Sequence, residues 1–114
     1  MKIDIHSHFY PKAFLDELEK LGKAANLVFE TDPWGRRTMI HNGNRVVTLT
    51  PPMTDVDARL KDMKAAGMDA QVLTLSIPSV DIFPPDIAAS LARSANDAMA
   101  DICKNYPDNF MSLA

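Results

Sequence analysis

The first residues of the chain alternate between apolar and polar side chains. In the segment KIDIHSH, residues 2–8, two isoleucines alternate with one aspartate and two histidines. A period of two is typical of a β-strand, whose successive side chains point to opposite faces. We therefore expect a strand in which the isoleucines pack away from the face that carries Asp4, His6 and His8.

An amphipathic helix is predicted directly after this strand. Pro11 stands where a first helical turn tolerates proline, and apolar residues then recur on one helical face. These apolar positions are Phe14, Leu18 and Leu21, and Gly22 marks the expected end of the helix.

The pattern changes between residues 26 and 52. Two alternating apolar runs flank the pair Asn42-Gly43, and Asn-Gly between such runs is the strongest short-range signal for a β-hairpin. We predict a small β insertion over residues 26–52 rather than a layer of the core. Trp34 within this insertion is either the anchor of a turn or a lid residue over a site.

A helix and a strand are predicted after the insertion. Thr54 and Asp57 resemble a capping pair at the start of a helix that ends near Gly67. Residues 70–78 are mostly apolar and include β-branched side chains. This composition is typical of a strand that is covered on both faces.

The last third of the chain predicts the longest helix and a further strand. The helix opens at Pro84-Pro85 and ends at Tyr106-Pro107, and residues 109–114 begin another apolar run. The predicted order is therefore β-α-(hairpin)-α-β-α-β. Strands separated by helices indicate an α/β fold with parallel pairing.

The composition narrows the class of protein. The chain has 114 residues, of which 46% are hydrophobic and 24% charged, as in a single globular domain. The net charge of -3 and the absence of any Lys/Arg-rich run argue against a nucleic-acid or anionic-membrane surface. Small molecules or other proteins are the expected partners.

The expected compartment is the cytoplasm. Cys103 is the only cysteine, so an internal disulfide is impossible and a reducing environment is favoured. We expect this thiol to be a small buried group on a helix. No signal-peptide pattern opens the sequence, and no window approaches the ~20 apolar residues of a membrane span.

His6 and His8 are the strongest candidates for chemistry. Residues i and i+2 of a strand share a face, so both imidazoles project side by side where the strand ends. Two imidazoles can share one divalent ion. Asp4, one position earlier on the same predicted face of the strand, is placed to accept an imidazole N–H. The spacing alone leaves a metal site and a chance pair both open, whereas the position at a strand end favours metal.

Three segments carry a resemblance to a known family. They are IDIHSHFYP (3–11), RVVTLTPPMTDVDARLKDMKAAGMDAQVLTLS (45–76) and ANDAMADICKNYPDNFMSLA (95–114). Together they resemble the amidohydrolase superfamily, specifically the amidohydrolase family 2 branch that contains aminocarboxymuconate-semialdehyde decarboxylase and γ-resorcylate decarboxylase. The resemblance extends over essentially the whole chain.

The resemblance implies a fold and a metal site. The implied fold is a (β/α)8 TIM barrel with a small β insertion, of which residues 1–114 are an N-terminal portion with about three parallel strands. His6 and His8 would bind a divalent metal, with zinc first and manganese second, and no organic cofactor is required. Arg45 stands where that branch has an arginine that holds a substrate carboxylate, and a solvated strand-edge arginine is the alternative.

The implied chemistry is nonoxidative decarboxylation of a small unsaturated or aromatic carboxylic acid. The metal would position the acid, and protonation of the carbon that bears the carboxylate would release CO₂. Hydrolysis or hydration by a member of the same superfamily is the alternative. The expected partners are this small acid and a second copy of the chain in a homodimer.

The candidate site is incomplete in these residues. A full barrel takes ~250 residues, so the chain appears truncated, and the resemblance places the remaining ligands and the catalytic groups beyond residue 114. His41 is expected to be a surface histidine, and Asp55, Asp81 and Asp86 are expected to be caps. Either the chain is the first third of a metal-dependent lyase or hydrolase, or it is a non-catalytic module that self-associates through open sheet edges.

Overall fold

The computed structural model describes residues 1–113. Its strands and α-helices follow the predicted order, with one short α-helix and two 3-10 helices, Gly22–Ala25 and Val80–Ile82, added. They are β1 (Ile3–His8), α1 (Lys12–Leu21), β2 (Leu27–Thr31), β3 (Arg37–His41), β4 (Asn44–Thr48), α2 (Pro51–Thr54), α3 (Val56–Ala65), β5 (Ala70–Thr74), α4 (Pro85–Asn105) and β6 (Phe110–Ser112).

Two sheets organise these elements. One sheet is parallel and has the order β1-β5-β6, and the other is antiparallel and has the order β2-β3-β4. Helix α3 leads into β5 and helix α4 leads into β6, as in the predicted alternation of helices and strands. The α/β prediction with a small β insertion is confirmed, and the insertion strands lie inside the predicted range of residues 26–52.

The turns of the insertion are made by local polar groups. Asn42 and Gly43 have φ angles of 50° and 78°, which identifies the type I′ turn that suits a two-residue hairpin. At the other turn, Asp32 Oδ1 accepts hydrogen bonds from the amides of Trp34 at 2.9 Å and Arg36 at 2.8 Å. The hairpin prediction at Asn42-Gly43 is confirmed.

Helix α3 begins one residue later than predicted. Asp55 rather than Thr54 is its N-cap, and Asp55 Oδ1 accepts a hydrogen bond from the Ala58 amide at 2.7 Å. Thr54 instead ends α2, which begins at a proline pair. The prediction that Asp55 acts as a cap is confirmed, whereas β5 ends at Thr74, short of the predicted limit at residue 78.

Strand β1 does not alternate strictly. Asp4 pairs with Gln71 and Ser7 pairs with Leu73, so β1 advances by three residues where β5 advances by two. The extra residue is a β-bulge, and it reverses the alternation of side chains beyond it. The prediction that Asp4 shares a face with His6 and His8 is therefore wrong.

The helices of this chain cover one face of the parallel sheet. Leu73 and Phe110 are buried on that face against α3 and α4. On the other face, which we name the open face, Ile3, Ile5 and Met111 are 45%, 77% and 44% exposed. The expectations that the isoleucines are packed and that residues 70–78 are covered on both faces are therefore not met within residues 1–113.

Two apolar clusters form the core. The first joins α1 and α4 to the insertion sheet, and the second lies under the parallel sheet. The first cluster consists of Tyr10, Phe14, Leu15, Leu18, Leu27, Met39, Leu49, Phe83, Leu91 and Ala95. The second consists of Phe9, Met63, Leu73, Met99 and Phe110. Within residues 1–113, no helix has the length and apolar content needed to cross a membrane.

Candidate functional site

The two histidines of β1 converge on one point. His6 Nε2 and His8 Nε2 lie 3.0 Å apart, and the ring centroids are 4.7 Å apart with an interplanar angle of 80°. His6 is exposed and His8 is half-buried. Two ring nitrogen atoms are thus brought together at the carboxyl end of the first parallel strand, where α/β folds place their active sites.

A threonine on the neighbouring strand holds the second imidazole. His8 Nδ1 lies 3.0 Å from Thr74 Oγ1, and the two residues are direct partners across β1 and β5. When His8 donates its Nδ1–H to this hydroxyl, the lone pair of Nε2 is left for a ligand. Thr74 was not among the predicted site residues, because the register of two strands that are distant in sequence cannot be read from the sequence.

Asp4 supports the backbone of the histidine segment and not an imidazole. Its Oδ1 accepts a hydrogen bond from the His6 amide at 3.0 Å, and its Oδ2 accepts one from Gln71 Nε2 at 3.3 Å. Asp4 lies with Arg59 and Met63 on the helix-covered side of the sheet, and the bulge that follows Asp4 turns the imidazoles to the other side. The predicted hydrogen bond from an imidazole to Asp4 is therefore replaced by contacts with the main chain and with Gln71.

A buried arginine lies directly behind the histidine pair. Arg59 of α3 is 8% exposed, and its guanidinium donates hydrogen bonds to Ser7 Oγ and to the His8 carbonyl. It also donates to Gln71 Oε1 at 2.9 Å and to the Pro52 carbonyl at 2.7 Å. The Arg59 side chain thus connects α3 to α2, through Pro52, and to both β1 and β5.

The charge of Arg59 is balanced by its surroundings. Burial lowers the pKa of the guanidinium, and the nearby carboxylates of Asp4 and Asp62 raise it again. An arginine side chain stays protonated inside a protein because the pKa of a guanidinium is far above neutral pH. The site therefore contains a permanent buried cation. Its N–H groups donate to acceptors on four residues, Ser7, His8, Pro52 and Gln71.

Arg59 was missed in the sequence although a signal for it exists. It follows Val56 by three residues and precedes Met63 by four, so it occupies the apolar face of α3. An arginine at such a position must find partners inside the protein. The pattern could thus have indicated a buried arginine, but not the residues that it contacts.

The other predicted residues make no hydrogen bond or ion pair with the histidine pair within residues 1–113. Arg45 is exposed on β4, and its side chain has no hydrogen bond or ion pair with any residue from 1 to 113. His41 is at the hairpin turn, where its Nε2 lies 3.3 Å from Asn42 Nδ2. Among residues 1–113, no three His, Cys, Asp or Glu side chains are grouped so that they could hold a metal ion.

The molecule has a groove at the edge of the insertion. It has a volume of about 750 Å³ and lies between α1, the insertion and the start of α3. Trp34 borders this groove, is 79% exposed and carries the Arg36 guanidinium 5.3 Å from its ring centroid. Neither histidine lines this groove.

The fold and the site together place two converging imidazoles at the carboxyl end of the first of three parallel strands. The curated proteins that the chain matches in sequence are decarboxylases. The chain is 28% identical over 114 residues to the 2-amino-3-carboxymuconate-6-semialdehyde decarboxylase of Caenorhabditis elegans, across 98% of this chain and 28% of that protein. It is 41% identical over 59 residues to the gamma-resorcylate decarboxylase of Rhizobium radiobacter, across 51% of this chain and 18% of that protein.

Solved structures share the fold. The 5-carboxyvanillate decarboxylase of Novosphingobium aromaticivorans, solved with manganese and 4-hydroxy-3-methoxy-5-nitrobenzoic acid, matches with a TM-score of 0.67 and 22% identity over 100% of this chain and 33% of that one. The 4-oxalomesaconate hydratase of Rhodopseudomonas palustris matches with a TM-score of 0.59 and 22% identity over 100% of this chain and 32% of that one.

These comparisons confirm the resemblance to the decarboxylases of amidohydrolase family 2. The three parallel strands and their helices correspond to about a third of a TIM barrel, and the chain spans less than a third of the length of the curated relatives that it matches. No model of a known protein family matches the chain.

Proposed function

We propose that this chain contributes two metal ligands to a metal-dependent decarboxylase that acts on a small unsaturated or aromatic carboxylic acid. His6 and His8 are the proposed ligands. The remaining ligands and the catalytic acid-base groups are proposed to come from outside residues 1–114. Activity is accordingly proposed for the whole protein that contains this chain, and not for the chain by itself.

The convergence of the two imidazoles carries the proposal. A zinc-imidazole bond is about 2.0–2.1 Å long, so two nitrogen atoms less than about 4 Å apart can reach the same ion. His6 Nε2 and His8 Nε2 are 3.0 Å apart and meet this condition. The hydroxyl of Thr74, 3.0 Å from His8 Nδ1, provides the outer contact that usually orients a ligating histidine.

The proposed ion is divalent, with zinc preferred and manganese as the second choice. Imidazole nitrogen suits zinc, and the manganese bound by the 5-carboxyvanillate decarboxylase supports a divalent ion more generally. When bound, such an ion supplies a Lewis acid that can hold a carboxylate. Within this chain, the two imidazoles would hold the ion, and the groups that hydrogen-bond to their segment would orient them.

Decarboxylation is preferred over hydration and hydrolysis because both sequence relatives are decarboxylases. The fold does not distinguish these reactions, since a hydratase shares it. Arg45 is proposed to hold the substrate carboxylate, because its guanidinium is exposed and offers a two-pronged donor. A homodimer in the cytoplasm remains the proposed state of the protein, and an intact native mass tests the assembly.

Metal content tests the proposed ligands. In the whole protein we expect stoichiometric zinc or manganese, measured by elemental analysis, and its loss in a His6→Ala/His8→Ala double variant. His41→Ala is the matched control, because it removes the third histidine of the chain from a hairpin turn. Metal retained by the double variant, or lost equally by the control, would contradict the assignment.

Product analysis tests the reaction. Release of CO₂ from unsaturated and aromatic acids is expected from the metal-loaded protein, and Arg45→Ala should raise KM for the acid more than it lowers kcat. Arg93→Ala is the matched control, because Arg93 is an exposed arginine on α4. Addition of water without CO₂ would indicate a hydratase, and turnover of neither kind would favour the non-catalytic module.

A further inference from the structure

We propose that Arg59 is a positioning residue for the histidine pair, holding the backbone of residues 6–8 so that the two imidazoles converge. The proposal rests on the proposed metal-binding function of His6 and His8. It goes beyond that function because Arg59 touches neither imidazole and is separated from the pair by more than fifty residues of sequence.

The first connection between Arg59 and the pair is direct. Its NH2 group donates to the carbonyl oxygen of His8, and its NH1 group donates to the hydroxyl of Ser7. Ser7 is 5% exposed and lies between the two histidines, on the opposite side of the strand from their rings. Arg59 thus contacts two consecutive residues of the segment, Ser7 and His8, from the side of the sheet that α3 covers.

The second connection runs through two side chains. Arg59 donates to Gln71 Oε1 at 2.9 Å, and Gln71 Nε2 donates to Asp4 Oδ2 at 3.3 Å. The other oxygen of Asp4 accepts the hydrogen bond of the His6 amide at 3.0 Å. All three residues of the His-Ser-His segment are therefore linked to one guanidinium.

The β-bulge explains why such support is needed. Between Asp4 and Ser7 the register with β5 shifts, so the regular ladder of backbone hydrogen bonds is interrupted next to His6. Backbone groups that leave a ladder need other partners. The carboxylate of Asp4 accepts from the His6 amide, and the guanidinium of Arg59 donates to the His8 carbonyl. These two contacts hold the bulged segment where regular strand pairing is interrupted.

The geometry requires arginine rather than any cation. Four acceptors surround the group, on Ser7, His8, Gln71 and Pro52. The guanidinium presents five donors in one plane, whereas an ammonium presents three from a single nitrogen. The guanidinium carbon also lies 5.3 Å from the centroid of the Phe9 ring, which packs directly after the histidine segment.

The test compares Arg59→Lys with the wild-type protein. The variant keeps the charge and loses the planar set of donors, so zinc and manganese affinity in the whole protein should fall by about 10- to 100-fold, as is typical when an outer contact of a metal ligand is lost. Affinity is measured by calorimetric titration of the metal-free protein with each ion. Unchanged affinity would overturn the proposal.

Met63→Ala separates positioning from general loss of stability. Met63 is 4% exposed, lies one turn after Arg59 on α3 and belongs to the apolar cluster under the parallel sheet, and its thioether is not among the hydrogen-bond partners of Arg59. We expect it to lower the melting temperature while metal affinity stays within about twofold of wild type. If both variants lose affinity in proportion to their loss of melting temperature, Arg59 is only a structural residue and the proposal is wrong.

A readout without metal distinguishes failure of this proposal from failure of the proposed function. Hydrogen exchange of the peptide that contains residues 6–8 is followed by mass spectrometry in the metal-free protein. Arg59→Lys should speed this exchange by at least about tenfold, and Met63→Ala should leave it near the wild-type rate under conditions where both remain folded. If the wild type binds no metal, the proposed function fails, and the exchange result still decides whether Arg59 holds the segment.

Discussion

The two sheets of this protein are held together in different ways. The insertion sheet joins strands that follow one another in the chain, and its turns are made by neighbouring residues such as Asp32 and Asn42. The parallel sheet joins strands that are far apart, and the contact between His8 and Thr74 spans 66 residues. Local signals therefore determine the shape of the insertion, whereas tertiary packing determines the shape of the site.

This difference has a consequence for function. The turns of the insertion take their form from their own residues, whereas the histidine pair depends on contacts with β5 and α3. Mutations around the parallel sheet should accordingly lower the free energy of unfolding strongly. Mutations in the insertion turns and in surface ion pairs should lower it only slightly. The four predictions below test that ranking, beginning with the largest effect.

Removal of the Leu73 side chain should have the largest effect. Leu73 is fully buried under the parallel sheet, and Leu73→Ala is expected to lower the free energy of unfolding by about 3 kcal/mol through lost burial and a residual cavity. Ile5→Ala is the control on the open face, where the side chain is 77% exposed, and it should cost about 0.5 kcal/mol or less. Both values come from urea denaturation of the 114-residue chain, and equal costs would show that the two faces are not different.

Loss of one hydrogen bond in the Arg59 network should rank second. Ser7→Ala leaves a buried guanidinium donor without its acceptor, which should cost about 1.5 kcal/mol. Ser90→Ala, on the exposed side of α4, is the matched control and should change stability by less than about 0.5 kcal/mol. Thermal unfolding of both variants measures the difference, and a neutral Ser7→Ala would mean that the network does not stabilise the strand.

Most of the fold could be predicted because its signals are local. The Asn42-Gly43 turn, the helix stops at Gly22 and Tyr106 and the alternation of helices with strands each depend on a few neighbouring residues. The family resemblance added the barrel context and extended the interpretation beyond what periodicity supports. The errors in element bounds occur where two residues compete for one role, as Thr54 and Asp55 do for the helix cap.

The candidate site could be predicted only in part. The convergence of His6 and His8 follows from their spacing and was predicted. The partners Thr74 and Arg59 could not be, because the first depends on strand register and the second on how α3 packs. Asp4 was assigned to the wrong face since a β-bulge shifts the register without leaving a pattern in the sequence.

The turn of the insertion should rank third. Gly43 has a φ of 78°, which any residue with a Cβ adopts at a cost, so Gly43→Ala is expected to lower the free energy of unfolding by about 1 kcal/mol. Gly43→Asn is the matched variant, because asparagine tolerates positive φ, and it should lose less. Chemical denaturation measures both, and a loss larger than that of Leu73→Ala would contradict the ranking of the two sheets.

The ion pair between the insertion and α1 should have the smallest effect. Arg37 NH2 lies 2.6 Å from Glu19 Oε2, with the two side chains 34% and 54% exposed, and a pair this open to water contributes about 0.5 kcal/mol. A double-mutant cycle of Arg37→Ala and Glu19→Ala isolates the pair from the contact of Arg37 with the Phe29 ring, whose centroid lies 4.7 Å away. The coupling energy should shrink further as salt is raised, because exposed charges are screened. A coupling that persists in high salt would show that the insertion is anchored by a desolvated contact, and the contrast with the parallel sheet would then be smaller than proposed.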